Sequence, residues 1–351
     1  MDRIERLRGV LIKNSLDAFL IKKRQNISYL TGTRGEGALL FVSRKKDFLL
    51  TDSLYDEEYK KSLKGRSLPV IKDMDVYAAL RGVCGKTGSR RIGFEPDSIS
   101  YENYSNLKKQ LRGMTLFPLR QAIEDLRSVK DRGEIERVKK ACLTGCDAMR
   151  HALSLLKPGI REIEVKNRVK EYILRKGIDL ADFEIIVAFG KHCSMPHASA
   201  SSEILRRHEM AMVDLGTRRE GYNSDLTRTV FLGRINARFS HIYGIVLEAQ
   251  KKAIAAVRPG VVSKDIDAIS RKHITDKGLG RYFIHSLGHG IGLETHEEPR
   301  ISPKSRVILR KNMVMTIEPG VYIPGWGGVR IEDVVMVTEK GCEVLTRGVD
   351  K

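Results

Sequence analysis

Four acidic residues lie beside unusually apolar segments of the chain, where a carboxylate is rarely left without a partner. Asp214, Glu318 and Glu332 occur in the sequences AMVDLG, VMTIEPG and VRIEDVVMV, and Asp225 begins the sequence DLTRTVFL. Segments this apolar are typical of core strands, so the carboxylates should point into the protein or a cleft. Burying an unpartnered carboxylate costs several kcal/mol. We therefore expect these four groups to be paired, protonated or bound to metal.

Counting charges favours metal among those three possibilities. Four ionised carboxylates carry four negative charges, and we take Arg330 to be the only counter-ion embedded in the same segments. Two divalent cations would balance the set. Hard oxygen ligands together with one imidazole suit Mn²⁺, Co²⁺, Zn²⁺ or Fe²⁺ better than copper or an iron–sulfur cluster.

A glycine-rich segment supplies the candidate imidazole. The sequence HSLGHGIGLETHEEP contains His285, His289 and His296, three of the nine histidines in the chain. Its glycines disfavour a helix and allow another backbone to pass close beneath the His289 ring. Taken alone, the segment is also compatible with three structural histidines in a glycine-rich strand. Beside the four carboxylates, we predict that His289 is a metal ligand.

Two similar segments must position these groups. AMVDLG-TRREGY-NSDLTRTVFL and VMTIEPG-VYIPGWGG-VRIEDVVMV each indicate a strand, a glycine-containing turn and a returning strand. Each segment carries one carboxylate on the outgoing strand and one on the return, giving the pairs Asp214/Asp225 and Glu318/Glu332. We predict two β-ribbons that face each other and bring both pairs together.

The rest of the chain reads as two domains, as its 351 residues also suggest. Short apolar strand patterns (DAFLI, GALLFV, DFLLT, RIGFEP) alternate with amphipathic stretches in the first part, which predicts an α/β domain. The sequence turns wholly polar in DLRSVKDR, and a long amphipathic helix follows. We place the boundary there, with an α/β domain over residues 1–127 and an α+β domain over residues 128–351.

The bulk composition restricts location and partners. The net charge of +19 is spread over both parts without a basic module or an aromatic-rich basic cluster, so we expect a solvated basic surface and no specific nucleic-acid site. No apolar run approaches the roughly 20 residues that span a bilayer. Five cysteines without a Cys-x-x-Cys pair fit a reduced compartment. We expect a cytoplasmic protein that does not bind membranes.

With these motifs in view, the chain resembles the pita-bread metallopeptidases of family M24, in the aminopeptidase P and prolidase branch. The resemblance is carried by VDLG followed by DLTRT, by HSLGHGIGLETHEEP, and by TIEPGVY and GVRIEDVV. NISYLTGT and LLTDSLY resemble the creatinase-like N-terminal domain of that branch, so the likeness covers nearly the whole chain.

The resemblance implies a role for each matching residue. The implied metal ligands, for two divalent ions per subunit with Mn²⁺ or Co²⁺ favoured, are Asp214, Asp225, His289, Glu318 and Glu332. The implied catalytic residues are His197, His296 and Glu318, the last as the group that transfers a proton. The implied substrate-binding residues are His285, Tyr322 and Arg330, to which Arg300 in HEEPRI is added for a prolidase.

The implied reaction is hydrolysis of the bond between an N-terminal residue and proline, by water that two metal ions activate. Arg300 beside Arg330 favours a dipeptidase, because a dipeptidase needs positive groups to hold the proline carboxylate, whereas an aminopeptidase leaves that end open. The resemblance also implies a homodimer and a peptide or dipeptide substrate with proline in second position.

The motifs are also compatible with other functions and with other roles for two of the residues. A methionine aminopeptidase would share the five ligands, and a binding protein on the same fold would use the basic surface for RNA or ribosomes. Arg330 also fits a simple ion pair with a carboxylate, and Tyr322 fits turn packing. We expect His192 and His208 to be surface residues.

Overall fold

The computed structural model describes residues 2–351 and divides into two compact units, residues 1–127 and 128–351. The division falls within the polar segment DLRSVKDR. Over residues 2–351, every helix is too short or too polar to cross a bilayer.

The first unit is built on one six-stranded mixed sheet with the strand order β4-β3-β2-β1-β5-β6. Its strands are β1 (Ala18–Ile21), β2 (Ala38–Ser43), β3 (Asp47–Thr51), β4 (Val70–Lys72), β5 (Arg91–Phe94) and β6 (Thr115–Pro118). Its helices are α1 (Arg3–Lys13), α2 (Arg24–Thr31), α3 (Asp56–Ser62), α4 (Val76–Thr87), α5 (Tyr101–Gln110) and α6 (Glu124–Ser128), which ends at the unit boundary. The predicted α/β architecture of this region is confirmed.

A buried acidic residue lies at the end of β5 in this unit. Glu95 accepts hydrogen bonds from the backbone N–H groups of Lys22 and Lys23, both at 2.8 Å, and from the side-chain amide of Asn26. Only 6% of Glu95 is exposed. Burial, opposed by these three hydrogen bonds and reinforced by the charge of Glu124, raises the pKa of Glu95 to about 7.

This raised pKa predicts a pH-dependent contribution to stability. The folded protein holds the Glu95 proton more tightly than the unfolded chain, whose carboxyl has a pKa of 4.5. The stabilisation is therefore complete below that value and is lost as the pH rises through about 7. We expect Glu95→Gln to reduce the loss of unfolding free energy between pH 5 and pH 8 by about 2–3 kcal/mol. Urea unfolding followed by circular dichroism measures the free energy of unfolding of both proteins at each pH. An equal pH dependence in the wild type and the variant would contradict the prediction.

The second unit mixes helices with small antiparallel sheets. Its helices are α7 (Arg132–Ser154), α8 (Glu162–Arg175), α9 (Ala237–Ala256) and α10 (Ser263–Asp276), with 3₁₀ turns at Gly190–Ser194 and Gly280–Tyr282. Its strands are β7 (Asp179–Leu180), β8 (Ile186–Phe189), β9 (Glu209–Leu215), β10 (Thr217–Arg219), β11 (Tyr222–Asn223), β12 (Leu226–Leu232), β13 (Gly288–Gly290), β14 (Glu297–Ile301), β15 (Val314–Ile317), β16 (Gly320–Ile323), β17 (Gly327–Arg330), β18 (Asp333–Val337) and β19 (Cys342–Val344).

The two predicted β-ribbons are present in this unit. Strands β9 and β12 pair antiparallel along seven residues each, and β15 pairs antiparallel with β18. A smaller hairpin is inserted into each ribbon, β10–β11 in the first and β16–β17 in the second. The predicted α+β class and the shared plan of the two segments are confirmed.

The carboxylates lie nearer the strand ends than the sequence suggested. Asp214 is inside β9, opposite Thr227. Asp225 and Glu332 each lie one residue before a returning strand, and Glu318 lies one residue after β15. The inserted hairpins leave the ribbons at these points, so the backbone turns out of the sheet and directs the three side chains inward.

Candidate metal centre

Three predicted ligands form one compact group. Asp225, His289 and Glu332 each offer a ligand atom, and these atoms all lie within 4.8 Å of one another. The three residues are 5%, 8% and 1% exposed, respectively. Two buried carboxylates and a buried imidazole at this spacing have the geometry of a site for a divalent cation.

The orientation of His289 fits a role as a ligand. Its Nδ1 lies 3.1 Å from the carbonyl oxygen of Gly290, a contact that requires a proton on Nδ1. Nε2 is therefore the nitrogen that faces the carboxylates, 3.2 Å from Glu318 Oε1 and 3.7 Å from Asp225 Oδ2. Such a second hydrogen bond commonly fixes the tautomer of a metal-binding histidine.

The glycines around His289 serve the close packing that the sequence predicted. A Cβ atom on Gly288 would lie 2.1 Å from the carbonyl oxygen of Thr316, and one on Gly290 would lie 2.1 Å from that of Glu298. The hydroxyl of Thr316 accepts a hydrogen bond from the His289 N–H and lies 3.0 Å from Glu318 Oε1. Strand β13 can therefore lie close to β14 and β15 only because it lacks side chains at these positions.

Asp214 joins the group through Arg330. The Arg330 guanidinium donates to Asp214 Oδ2 at 2.6 Å and to the hydroxyl of Thr227 at 3.1 Å. That hydroxyl donates in turn to Glu332 Oε2 at 2.6 Å. The other oxygens, Asp214 Oδ1 and Glu332 Oε1, are buried without a hydrogen-bond partner. Buried carboxylate oxygens without a hydrogen-bond partner fit a role as ligands of a cation.

The carboxylates repel one another electrostatically. Burial, followed by the charges of neighbouring acids, raises the pKa of Asp225 and of Glu332 well above the ordinary range. Burial also raises the pKa of Asp214, although the charge of Arg330 opposes this. Glu318 is the exception: despite burial, its hydrogen bond and charge interaction with His289 lower its pKa to about 2. All four groups can be ionised together near pH 7 only if further positive charge is added, and divalent cations supply it.

The two histidines predicted to contact substrate flank this group. The rings of His296 and His289 have centroids 4.1 Å apart. Partial burial, together with the positive charge of His289, lowers the pKa of His296 to about 4, so its imidazole is neutral near pH 7. His197 is exposed, and its charge contributes to the lowered pKa of His296.

The three residues predicted for the proline side form one hydrogen-bonded chain. Arg330 donates to the Tyr322 hydroxyl at 2.7 Å, and that hydroxyl lies 3.0 Å from His285 Nε2. His285 Nδ1 lies 2.7 Å from the carbonyl oxygen of Ser286, so its proton resides on Nδ1. Burial lowers the pKa of His285 and raises that of Tyr322 to about 12. Of the alternatives considered for Arg330, the carboxylate pair is present, and Tyr322 does more than pack in a turn.

Arg300 stands apart from the other predicted residues. It is exposed, and among residues 2–351 its guanidinium makes no hydrogen bond or ion pair. Its charge reaches His296, whose pKa it helps to lower. The structure therefore places Arg300 near the site without fixing its side chain to it.

Sequence reasoning missed a second buried ion pair in the same ribbons. Arg228, 1% exposed, donates to Asp333 Oδ1 at 2.9 Å and to the carbonyl oxygen of Glu332 at 2.6 Å. The prediction that Arg330 is the only counter-ion in these segments was therefore wrong. The sequence does contain a signal for this pair. Side chains alternate between the two faces of a strand, so Arg228 and Asp333, which follow Thr227 and Glu332, must face away from the metal group.

The expectation that His192 is a surface residue was also wrong. Its ring is half-buried, and Nδ1 lies 2.8 Å from a carboxylate oxygen of Glu162. His208 is exposed, as expected.

Comparison with known proteins identifies the family. Residues 136–339 match Metallopeptidase family M24, and residues 3–129 match the Creatinase/Prolidase N-terminal domain. The chain is 38% identical over 350 residues to the Xaa-Pro dipeptidase of Pyrococcus furiosus, covering 99% of this chain and 98% of that one.

Solved structures agree with this assignment. The Xaa-Pro dipeptidase from Bacillus anthracis superposes with a TM-score of 0.95 at 35% identity, covering 100% of this chain and 98% of that one. The X-Pro aminopeptidase from Thermotoga maritima superposes with a TM-score of 0.88 at 33% identity, covering 99% and 98%. The predicted creatinase-like and pita-bread domains, and the prediction of a hydrolase that uses divalent metal, are confirmed. The chain belongs to metallopeptidase family M24.

Proposed function

We propose that the protein is an Xaa-Pro peptidase that removes the residue preceding a proline at position two, with dipeptides as its preferred substrates. The observation that carries the proposal is the joining of the carboxylate–histidine group to the Arg330–Tyr322–His285 chain by the 2.6 Å contact between Arg330 and Asp214. One side of the site can hold cations, and the other presents polar groups to the substrate. The names of similar proteins with both activities support the reaction class.

The proposed metal complement is two divalent ions per subunit, Mn²⁺ or Co²⁺ before Zn²⁺ or Fe²⁺. The residues that would hold them are Asp214, Asp225, His289, Glu318 and Glu332. Bound there, the ions would acidify a water molecule and polarise the scissile carbonyl group.

Proton transfer is assigned to Glu318. Its Oε1 is held by Thr316 and lies close to His289, whereas Oε2 has no hydrogen-bond partner among residues 2–351. As an ionised carboxylate, Glu318 can accept a proton from the attacking water. The same carboxyl would then pass that proton to the proline nitrogen, because a tertiary amide leaves only after protonation.

The histidines are assigned to the scissile carbonyl oxygen. A neutral His296, with its pKa of about 4, can donate a hydrogen bond from its N–H without bringing a full charge into the site. His197 would donate from the opposite side of the cleft as negative charge develops on the oxygen. On the proline side, the substrate's proline ring would lie against His285, Tyr322 and Arg330, whose side chains are held in place by their shared hydrogen bonds.

Substrate length distinguishes a dipeptidase from an aminopeptidase. Arg300 is exposed and unpaired, so it is free to meet a terminal proline carboxylate. We expect kcat/KM for Xaa-Pro dipeptides to exceed that for Xaa-Pro-Yaa-Zaa peptides in the Mn²⁺ or Co²⁺ protein. Arg300→Met should reduce the dipeptide value and leave the tetrapeptide value nearly unchanged. Faster cleavage of the tetrapeptide would assign the protein as an aminopeptidase, and no cleavage of either would refute the reaction.

The complete set of candidate ligands counts against the alternatives considered above. A binding protein that uses its basic surface for RNA or ribosomes has no need of five converging ligand side chains. If this protein binds RNA only through its overall positive charge, its gel-shift signal should vanish at about 150 mM salt. A methionine aminopeptidase would cleave methionyl peptides that lack proline, which the same assay tests.

Domain limits, assembly and location belong to this proposal too. We propose a creatinase/prolidase-like domain at residues 1–127 and a catalytic domain at 128–351, which the compact units support. We also propose a homodimer that acts in the cytoplasm. Light scattering coupled to size-exclusion chromatography tests the dimer.

A further inference from the structure

The loop that carries His197 is held by one buried carboxylate outside the candidate metal group. We define the His197 loop as residues 189–201. Glu162, which is 0% exposed, accepts a hydrogen bond from the Phe189 N–H at 2.7 Å. It also accepts from the N–H and hydroxyl of Ser201, at 2.9 and 2.7 Å. His192, near the middle of the loop, lies 2.8 Å from the same carboxylate. Both ends and the middle of the loop therefore meet at one side chain.

The backbone fixes the position of Glu162. It is the first residue of α8, where the helix dipole favours a negative charge. Its N–H donates to the carbonyl oxygen of Glu203, and the N–H of Ile163 donates to that of Ser201. The start of α8 is thus tied to the last residue of the loop and to the segment that follows it. A fully buried carboxylate is tolerated here because its donors satisfy it.

The tip of the His197 loop is fixed separately. Arg330 donates to the carbonyl oxygen of Pro196 at 3.1 Å. On strand β17, a Cβ atom at Gly328 would lie 2.1 Å from the carbonyl oxygen of Cys193, so the loop lies directly against that strand. Phe189, His192 and Ser201 are held by Glu162, and residues 193–196 are held against β17.

His197 has no such anchor of its own. Its side chain is exposed and makes no hydrogen bond or ion pair among residues 2–351. Its position relative to the reacting carbonyl is therefore set by the backbone of the loop alone. Small displacements of a group that acts on the reacting atoms can cost large factors in rate.

We propose that Glu162 is a positioning residue for His197, acting through the His197 loop and not through the metal group or the substrate. The inference rests on the proposed function, in which His197 donates to the scissile carbonyl oxygen. Among residues 2–351, the hydrogen-bond partners of the Glu162 carboxylate all belong to the His197 loop.

The direct test is Glu162→Gln. Glutamine keeps one oxygen but turns an NH₂ group toward donors that need an acceptor, so one end of the loop is released. We expect kcat for an Xaa-Pro dipeptide to fall about 10- to 100-fold. KM and the number of bound Mn²⁺ ions should stay unchanged. Glu164→Gln is the matched control, because the Glu164 side chain, 35% exposed, lies in the same helical turn but bonds to Arg161, and this change should leave kcat unchanged.

A double-mutant cycle separates positioning from a merely structural role. In the His197→Ala background, Glu162→Gln should cause little further loss of kcat, because the group it positions is absent. Multiplicative losses, or a loss of bound metal, would overturn the proposal. Ser201→Ala removes one donor with less disturbance and should show the same dependence on His197 if Glu162→Gln fails to fold. An inactive wild-type protein would instead refute the proposed function.

Discussion

Asp225→Asn should abolish Xaa-Pro hydrolysis and metal-induced stabilisation together. Asp225 is 5% exposed, and its carboxylate lies 3.7 Å from His289 Nε2, among atoms that would share a cation with Glu332. Asparagine retains the size and removes the charge. Metal activation is worth several kcal/mol, so the loss of kcat/KM should be on the order of a thousandfold or more.

The same change should stabilise the metal-free protein. Because burial and like charges raise the pKa of Asp225, an ionised carboxylate there destabilises the folded state near pH 7. In EDTA we expect Asp225→Asn to melt at a higher temperature than the wild type. On adding Mn²⁺, the wild-type Tm should rise by ligand linkage, and that of the variant should not.

His296→Ala provides the contrast. Its ring neighbours His289, but the proposal places it on the substrate side, so metal-induced stabilisation should persist. Turnover should fall about 10²- to 10³-fold, as for loss of a hydrogen-bond donor to a developing oxyanion. Full activity in Asp225→Asn, or equal loss of metal in both variants, would refute the assignment of ligands.

Arg228→Met should be the most destabilising single change among the residues described above. The Arg228 guanidinium is buried and donates to Asp333 Oδ1 and to the carbonyl oxygens of Thr227, Glu332, Val349 and Asp350. Methionine fills a similar volume but leaves these acceptors unsatisfied and the buried Asp333 without one of its cations. Breaking a buried ion pair in this way costs about 3–5 kcal/mol.

Arg218→Met is the matched control for this loss. Arg218 pairs with Asp182 at 2.9 Å, but the side chains are 31% and 38% exposed. An exposed pair contributes about 0–1 kcal/mol, so urea unfolding should show a small change. Similar losses in both variants would mean that burial of the Arg228 pair adds nothing.

The sequence predicted the parts of the site that depend on local pattern. Acidic residues in apolar segments indicated Asp214 and Glu332, because a strand core tolerates such groups only with compensation. The glycines around His289 indicated close backbone packing, which the structure shows at Gly288 and Gly290. These signals lie within a few residues of the side chains that they concern.

Other features could not be read from the sequence because they depend on distant contacts. Glu162 looks like any acid at a helix start, yet its partners lie 27 to 39 residues away. Arg228 and Asp333 meet across two ribbons, 105 residues apart. Arg300 illustrates the reverse case, since a motif indicated a role in binding, but no hydrogen bond or ion pair among residues 2–351 fixes its side chain.

Metal content tests the centre most directly. The wild-type protein, stripped with EDTA and titrated with Mn²⁺ or Co²⁺ in a calorimeter, should bind two ions per chain, and dipeptide hydrolysis should appear as they bind. Elemental analysis after desalting should give the same stoichiometry. A protein that binds neither ion at saturating concentration, or that hydrolyses Xaa-Pro equally well in EDTA, would contradict a centre built from these buried carboxylates.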